Sequence, residues 1–405
     1  MNFQPGFARQ QGMNYMRRNT RFLAAACIGG LLFAGSASAD PLATPAVAAT
    51  LSGNSNPFKV QAGPFGDVYV SGVITGLGMV QNNHSDFDRS NLADLSNGQL
   101  FVQTTSGPIQ FFLDVGLYSL PALGTPYTHA TTLTGETYSG VPMAYVKLQP
   151  TSEFSIEVGK LPTLIGAEAA YTFQNVNIVR GLLWNEEPVV SDGVQINYAK
   201  GPLSLSVSLN DGFYSNRYNW LSGLASYAVT KTDTLAVAGG GAMSKYDRST
   251  AATPLFQNNS VILDVMWTHT QGSWMVEPYF QYTHATSVEA GGLQYAGGST
   301  WSGAVLAKYS FNAHWSVGGR VEYIASSSAD CPLASTTCVQ TNLLYGPGSK
   351  AVSVTLTPTW QQGAFFVRGE AAYLSISDAT PGAALGQFGE ATSQWRGAIE
   401  TGFLF

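Results

Sequence analysis

The chain has 405 residues, of which 45% are hydrophobic and only 11% are charged, and its formal net charge is −6. Soluble globular domains carry about 25% charged residues, so this composition disfavours an ordinary soluble enzyme. A nucleic-acid-binding protein would need a basic surplus, and the mean hydropathy of +0.04 disfavours a bundle of apolar membrane helices. Alternating apolar and polar residues, as in the strands of a transmembrane β-barrel, give this average composition.

The first 39 residues predict a secretory signal peptide. They contain no acid, arginines within 17–21 precede a short apolar stretch over 22–35, and an Ala-Ser-Ala triplet ends at Ala39. The apolar stretch is too short, and too rich in Gly and Ala, to span a bilayer comfortably. We therefore predict cleavage between Ala39 and Asp40 and export of the remaining chain. Loss of four arginines and no acid would change the formal net charge from −6 to −10.

Export would leave two cysteines, because Cys27 is removed with the signal peptide. Cys331 and Cys338 lie close together in a polar segment. Two neighbouring cysteines in an exported chain favour one disulfide. A metal site is the alternative, but no histidine or further cysteine lies nearby, and we predict no cofactor.

Period-two alternation predicts long β-strands after residue 66. In residues 273–284 one face is apolar and the other is largely polar. The first face holds Trp274, Val276, Pro278, Phe280 and Tyr282, and the second holds Met275, Glu277, Tyr279, Gln281 and Thr283. Residues 315–323 and 364–374 alternate in the same way. Such strands of about 10–12 residues have the length that a tilted strand needs to cross a membrane, about twice that of ordinary globular strands. Lipid would cover the apolar faces, and closure into a barrel would leave no unpaired backbone edge.

Short and long connections alternate along the chain. This predicts an all-β fold, a transmembrane antiparallel β-barrel of about 16 strands with short periplasmic turns and eight longer outer loops. The short turns are Ser106-Gly107, Pro150–Ser152, Lys200-Gly201, Lys231-Thr232, Gln271-Gly272, Asn312-Ala313 and Gln362-Gly363. The outer loops are 82–97, 119–141, 161–191, 211–219, 245–258, 285–299, 326–348 and 377–393.

The segment Gln174–Trp184 could form a seventeenth strand. An odd number of strands would place one end of the chain on the wrong side of the membrane, so 161–191 is assigned to one long third loop. The predicted organisation is a signal peptide over 1–39, a periplasmic N-terminal segment over 40–66 and the barrel over 67–405.

The last segment, 394–405, also alternates, and Trp395, Ile399, Phe403 and Phe405 share a face. A terminal aromatic residue at the end of such a strand is typical of the assembly signal of Gram-negative outer-membrane barrels. We therefore expect an integral protein of the bacterial outer membrane. Its expected partners are the barrel-assembly machinery, outer-membrane lipid and lipopolysaccharide.

Several short motifs resemble those of the OmpL-like β-barrel porins of Gram-negative bacteria. They are Gly159-Lys160-Leu161, Gly166-Ala167-Glu168, Arg180-Gly181-Leu182-Leu183, Glu187-Pro188, Asp192-Gly193-Val194 and Asn210-Asp211-Gly212. The resemblance extends loosely over 67–405 and is densest over 140–215. It implies an outer-membrane porin but carries over no ligand-binding residues.

Strand alternation places polar side chains inside the barrel, where sixteen strands leave room for an aqueous channel. The predicted pore-lining wall residues are Asp264, Glu277, Arg320, Glu322, Arg368, Glu370, Arg396 and Glu400, and Asp114, Lys147, Glu157 and Lys308 also point inward. In general porins the third loop narrows the lumen. If it does so here, Glu168, Arg180, Glu186 and Glu187 would form the constriction opposite the wall arginines, creating a transverse field. Wall ion pairs that only stabilise the sheet are the alternative.

The sequence therefore predicts a porin for passive diffusion of small polar solutes or ions. A solute-specific channel and a non-conducting adhesin or structural barrel stay open, as does assembly into a homotrimer. The five histidines are His84, His129, His269, His284 and His314, and none lies in an H-E-x-x-H or G-x-S-x-G setting, so we predict no enzyme. We also expect no nucleic acid as a partner.

Overall fold

The computed structural model describes residues 50–54, 56–85, 88–248, 255–327, 337–339, 341 and 343–405. The predicted signal peptide, its cleavage site between Ala39 and Asp40, and Cys331 lie outside these residues. None of the helices in the described part of the chain is long and apolar enough to cross a membrane.

Sixteen antiparallel strands of the described chain form a closed barrel. They are β1 (Asp67–Gln81), β2 (Asn91–Thr104), β3 (Ile109–Tyr118), β4 (Met143–Leu148), β5 (Phe154–Pro162), β6 (Val190–Lys200), β7 (Leu203–Asn210), β8 (Trp220–Ala228), β9 (Asp233–Ala242), β10 (Ser260–Gln271), β11 (Trp274–Ala285), β12 (Gly298–Ser310), β13 (Trp315–Ser326), β14 (Lys350–Gln362), β15 (Phe365–Ser377) and β16 (Ser393–Leu404). Each strand pairs with its neighbours in sequence, and β1 pairs with β16 to close the barrel. The predicted fold class and strand number are confirmed.

Burial alternates along most of the wall strands, as the sequence pattern requires. In β14 the side chains of Val352, Val354 and Leu356 are exposed on the outside, whereas Ser353 and Thr355 are buried inside. An apolar exterior and a polar interior suit a strand with lipid on one face and the lumen on the other. The alternation therefore determines which side chains can contact a solute.

The ends of the barrel differ in the length of their connections. At one end, two to five residues join consecutive strands, and at the other end eight longer loops join them. The third loop occupies 163–189, slightly less than the predicted 161–191. It contains two short 3-10 helices, Thr172–Gln174 and Leu183–Glu186, and no strand, so assigning Gln174–Trp184 to a loop is consistent with the structure.

Smaller elements decorate the barrel. A short strand, Phe58–Gln61, pairs with β1, and helix α1 (Ala130–Glu136) lies in the second loop, 119–142. A three-stranded sheet of Val288–Ala290, Leu293–Tyr295 and Cys338–Val339 joins the sixth and seventh outer loops. Cys338 is disulfide-bonded.

The chain ends on the seam of the barrel. The Phe405 backbone N–H donates to the Gly72 carbonyl at 2.9 Å, and the Gly72 N–H donates to the Phe405 carbonyl at 2.6 Å. A Cβ atom at Gly72 would lie 2.6 Å from the Phe405 ring, a separation that side chains do not tolerate. Glycine at this position therefore lets the terminal aromatic ring lie against β1.

Candidate functional site

The third loop lies inside the barrel and is almost completely buried. Ile178, Val179 and Leu182 pack in one cluster with inward-facing Met266 of β10 and Leu306 of β12. Other apolar side chains of the loop pack elsewhere: Phe173 in a cluster with Phe101 of β2, and Ile165 in a cluster with Trp220 of β8. Removing this apolar area from water favours the inward position of the loop. The loop therefore contacts the wall on several sides of the lumen.

Arg320 of β13 forms the central ion pairs between the wall and the third loop. Its guanidinium lies 2.5 Å from Glu168 of the loop and 3.1 Å from Glu322 on the same strand. It also donates to the carbonyl of Val179 at 3.0 Å. Because both partners are buried, the pair avoids the large cost of an isolated charge in the interior. Burial still raises the pKa of Glu168, and Arg320 opposes that shift.

Arg368 of β15 binds the main chain of the loop. Its nitrogens donate to the carbonyls of Thr172, Asn175 and Val176 at 2.9, 2.9 and 3.0 Å. The same side chain lies 3.4 Å from Glu400 of β16, which also accepts a hydrogen bond from the Thr172 hydroxyl. The several donors of a guanidinium allow one side chain to satisfy three carbonyls that have no strand partner.

Acidic wall residues accept hydrogen bonds from loop N–H groups. Glu370 accepts from Ile178 and Val179 at 2.5 and 3.0 Å, and Glu322 accepts from Leu182 at 2.8 Å. Charge-assisted bonds of this kind are stronger than neutral ones, and they satisfy buried backbone donors. These wall charges therefore hold the loop as well as one another.

The second loop completes the attachment. Arg396 of β16 donates to the carbonyls of Ala122 and Thr125 at 2.7 and 3.0 Å. Leu123 donates to the Arg180 carbonyl, and the Arg180 N–H donates to Pro121, so the second and third loops share a short bridge.

Glu186 and Glu187 lie together at the far end of the third loop. Glu186 accepts from Thr300 of β12 at 2.6 Å, and Glu187 accepts from Tyr279 of β11. Burial raises the pKa of Glu186 to about 7, although the bond from Thr300 opposes the shift. Burial, followed by the nearby charge of Asp264, raises the pKa of Glu187.

Glycine is required where this acidic group meets the loop. Gly166 has a φ of +92°, and a Cβ there would lie 1.8 Å from the Glu187 carboxylate. The Gly166 N–H donates to Asp264 of β10 at 2.9 Å. The Gly-Ala-Glu motif at 166–168 thus brings a backbone donor close to two carboxylates.

Arg180 has an unusual environment. Its side chain is fully buried above the Trp184 ring, with 4.9 Å between the guanidinium carbon and the ring centroid. None of its side-chain nitrogens has a hydrogen-bond partner in the described part of the molecule. Burial lowers its pKa to about 10, while Glu168 and Glu400 oppose the shift.

Three other predicted inward charges make no described hydrogen bond to the third loop. Glu277 of β11 is buried, and no described hydrogen bond or ion pair reaches it. Lys147 of β4 lies 3.8 Å from Glu157 of β5, so this pair contributes no net charge to the lumen.

A face without charges lines the lumen on the opposite side. The inward positions of β6–β8 are mainly serine, asparagine and glutamine: Gln195, Asn197, Ser206, Ser208, Asn210, Ser222 and Ser226. The described hydrogen bonds of the third loop do not reach these side chains. A small cavity lies against Gln195, Ser208, Asn210 and Ser222, and it is also lined by Trp220 and by Thr163, Leu164 and Pro188 of the third loop. A second small cavity lies against Lys147, Glu153, Ser155 and Asn197. Sequence reasoning missed this face, although serine recurs at every second position over 204–208.

Residues just before the barrel also enter its short-turn end. The Thr50 hydroxyl donates to the Asn175 carbonyl of the third loop at 3.3 Å. Ser52 exchanges two hydrogen bonds with the Gln361 side chain, at 2.7 and 2.8 Å. The N-terminal segment therefore contacts both the wall and the underside of the third loop.

The histidines form no shared centre. His269 lies 2.7 Å from Asp233 near a short turn, and His84, His284 and His314 each bond to different partners. His129 lies 3.4 Å from Asp94, at the start of α1. Within the described ranges, no group of three or more His, Cys, Asp or Glu side chains has the arrangement of a metal site.

A closed barrel of sixteen strands with a loop folded into its lumen is the architecture of an outer-membrane porin. The chain belongs to the family described as "Putative beta-barrel porin-2, OmpL-like", whose model matches residues 67–405. The resemblance expected from the sequence is confirmed. The protein is an integral porin channel of the outer membrane for small solutes.

The chain is similar in fold to solved outer-membrane porins and channels. The outer membrane channel DcaP of Acinetobacter baumannii has a TM-score of 0.56 at 11% identity, over 86% of this chain and 99% of that one. The anion-selective porin from Comamonas acidovorans has a TM-score of 0.55 at 11% identity, over 84% and 99%. OmpT of Vibrio cholerae, in its trimer form, has a TM-score of 0.52 at 12% identity, over 84% and 99%. No curated protein matches the chain.

Proposed function

We propose that the third loop is the constriction of the channel and that the wall charges hold it there. The observation that carries this proposal is the attachment of the loop main chain to Arg368, Glu370 and Glu322 on three wall strands. Glu168, Arg180, Glu186 and Glu187 are then constriction residues. Asp264, Glu277, Arg320, Arg396 and Glu400 belong to the lumen wall beside them.

Planar-bilayer recording in a salt gradient tests the constriction. The double variant Glu186→Gln/Glu187→Gln should shift the reversal potential towards lower cation preference at pH 8, where deprotonated Glu186 would contribute negative charge beside the pore. The matched control is Glu289→Gln/Glu390→Gln, which removes two exposed acids from the sixth and eighth outer loops. An unchanged reversal potential in the first variant would place these acids away from the ion path.

We also propose that three copies of the chain form a homotrimer. The wall is lowest at β4, which has six residues, fewer than the about 9–11 that a membrane-crossing strand needs. Val146, Leu148 and Val158 are exposed on the outside of this low wall. A trimer of the similar OmpT supports this arrangement, since a partner copy would cover a wall too low to span the lipid.

Native mass spectrometry of the detergent-solubilised protein tests the assembly. Wild type should be trimeric, and Val158→Lys should dissociate it by placing a charge in the contact. Val354→Lys introduces the same charge on the exterior of β14 and should leave the trimer intact. A monomeric wild type would contradict the homotrimer without affecting the proposed constriction.

The remaining partners and processing steps are also proposals. The apolar exterior would contact lipid and lipopolysaccharide, and the barrel-assembly machinery would recognise Phe405. A signal peptide over 1–39, cleaved between Ala39 and Asp40, would direct export. A periplasmic segment over 40–66 would then precede the barrel at 67–405, and a disulfide would join Cys331 to Cys338.

A further inference from the structure

The chain enters the short-turn end of the barrel before it forms the wall. Its short strand Phe58–Gln61 pairs with residues 67–70 of β1. Upstream of this strand, Thr50 and Leu51 are almost completely buried. We propose that residues 50–52 form a strap that closes the short-turn end beneath the third loop, and that withdrawal of the strap opens the channel. The proposal rests on the third loop as the constriction and adds a second closure below it.

Leu51 provides the apolar contact of the strap. It belongs to one apolar cluster with Phe173 of the third loop, Phe366 of β15 and Leu404 of β16. Phe366 and Leu404 lie at the short-turn ends of their strands, and both are nevertheless buried. An open end would leave these side chains in water, so burial of the cluster favours the inserted position of the strap.

The strap contacts the third loop at a carbonyl group that the wall also binds. The Thr50 hydroxyl and the Arg368 guanidinium both donate to the Asn175 carbonyl, at 3.3 and 2.9 Å. Gly318 of β13 leaves the space for this contact. A Cβ atom there would lie 2.6 Å from the Val176 carbonyl oxygen and 3.3 Å from the Thr50 methyl group. The strap therefore supports the same part of the third loop from below.

The attachment of the strap is weaker than that of the third loop. The Ser52 main chain exchanges two hydrogen bonds with the neutral Gln361 side chain of β14, and Ser316 of β13 donates to the Thr50 carbonyl at 3.5 Å, which is long for a hydrogen bond. The third loop is held instead by charge-assisted bonds, which are stronger. Residues 53–57 read Gly-Asn-Ser-Asn-Pro, a sequence typical of turns, and they connect the strap to its paired strand. We expect the strap to leave while the third loop stays bound.

Planar-bilayer recording of the full mature protein tests the strap. Gln361→Ala removes the side chain that binds both main-chain groups of Ser52, so the channel should open several-fold more often than wild type. Gln362→Ala is the matched control, because it removes the neighbouring, exposed glutamine side chain and should open as wild type does. Equal opening of Gln361→Ala and wild type would contradict the proposal.

Removal of the strap separates its effect from that of the wall. A chain that lacks residues 40–54 keeps the Phe58–Gln61 strand and all sixteen wall strands, and it should open at least as often as Gln361→Ala. Adding Gln361→Ala to this shortened chain should have no further effect, because the strap that Gln361 binds is absent. A further increase would show that Gln361 acts through the wall and would overturn the proposal.

Heat-modifiable migration establishes that the shortened chain forms a barrel. If it does not, Leu51→Asp replaces it, because a charge in the apolar cluster should expel the strap, and Ser52→Asp at the adjacent exposed position is the control. Wild-type opening of the folded shortened chain, or of Leu51→Asp, would overturn the strap. A reversal potential that still depends on Glu186 and Glu187 would leave the constriction intact in that case.

Discussion

The arginines of the lumen differ in what their side chains bind. Arg368 serves three main-chain carbonyls of the third loop, Arg320 pairs with Glu168 and Glu322, and Arg180 has no described hydrogen-bond partner. A charge on the inner face of this barrel therefore has a structural effect wherever a loop main chain approaches it. The electrostatic field available to a solute is correspondingly reduced, because paired charges compensate one another.

Replacement of Arg368 by lysine should loosen the third loop while preserving the charge. An ammonium group cannot reproduce the planar fork that reaches Thr172, Asn175 and Val176. Loss of two such charge-assisted bonds would cost roughly 1.5–3 kcal/mol each. We expect larger current fluctuations and faster amide exchange over 172–176. Arg89→Lys, at an exposed position in the first outer loop, should change neither quantity.

Glu186 should make the position of the third loop depend on pH. Burial raises its pKa from an ordinary value of 4.5 to about 7, so the docked loop retains a proton that a solvated loop would release over this interval. Docking is therefore strongest below about pH 4.5 and weakens as the pH rises towards 7. The neighbouring Glu187 shifts in the same direction, whereas Thr300 partly stabilises the ionised form of Glu186.

Current fluctuations recorded from pH 4.5 to 8 check this dependence. Fluctuations should increase with pH in wild type, and Glu186→Gln should remove part of the increase. Glu289→Gln, in the sixth loop, should retain the wild-type profile. Fluctuations that decrease as the pH rises would contradict the sign of the linkage.

The strands could be predicted because their signal is local. Alternation within β11 or β14 places each side chain inside or outside without knowledge of any other segment, and short turns separate the hairpins. The ends of the third loop could be predicted, but its path inside the barrel could not. The reason is that its contacts join residues more than 100 positions apart, such as Glu168 and Arg320. The absence of a described hydrogen-bond partner for Arg180 has no signature in the sequence.

The serine-rich inner face of β6–β8 has no distinctive signal in the sequence. Arg320 and Glu322 stood out in a chain with few charges, whereas Ser206 and Ser208 have the composition of any polar strand face. Beside them, Ile165 of the third loop packs in a cluster with Trp220 of β8, which joins segments far apart in the sequence. Contacts of this kind cannot be identified from one segment alone.

Reduction should affect the outer loops without unfolding the barrel. Cys338 is disulfide-bonded, and its short strand pairs with Leu293–Tyr295 of the sixth loop. Opening the bond would give the unfolded segment more conformational entropy and would therefore destabilise this small sheet. Typical disulfides contribute about 2–4 kcal/mol in this way. We expect new protease cleavage within 326–348 after reduction, with an intact barrel by heat-modifiable migration. An unchanged digestion pattern would argue against the disulfide.

Closure distinguishes the whole molecule from the sum of its hairpins. Fifteen strand pairs join strands that are neighbours in sequence. The sixteenth pair, the seam, joins the first strand, β1, to the last strand, β16. Without that pairing, two strand edges would remain unpaired inside the bilayer, where no water can satisfy them. The seam should therefore be the pairing on which insertion depends most strongly.

Gly72→Val should weaken this seam. A Cβ at Gly72 would lie 2.6 Å from the Phe405 ring and 2.9 Å from the Gln99 carbonyl, so it would meet β16 and β2 together. The paired Phe405 backbone would be displaced, and unpaired backbone groups in lipid cost several kcal/mol each. We expect less protein in the outer-membrane fraction and heat-modifiable unfolding at a lower temperature. Gly303→Val on β12, where a Cβ has ordinary separations, controls for the loss of glycine itself. If both variants reduced the amount of outer-membrane protein and the unfolding temperature equally, barrel closure at Phe405 would contribute no more to stability than the other strand pairings.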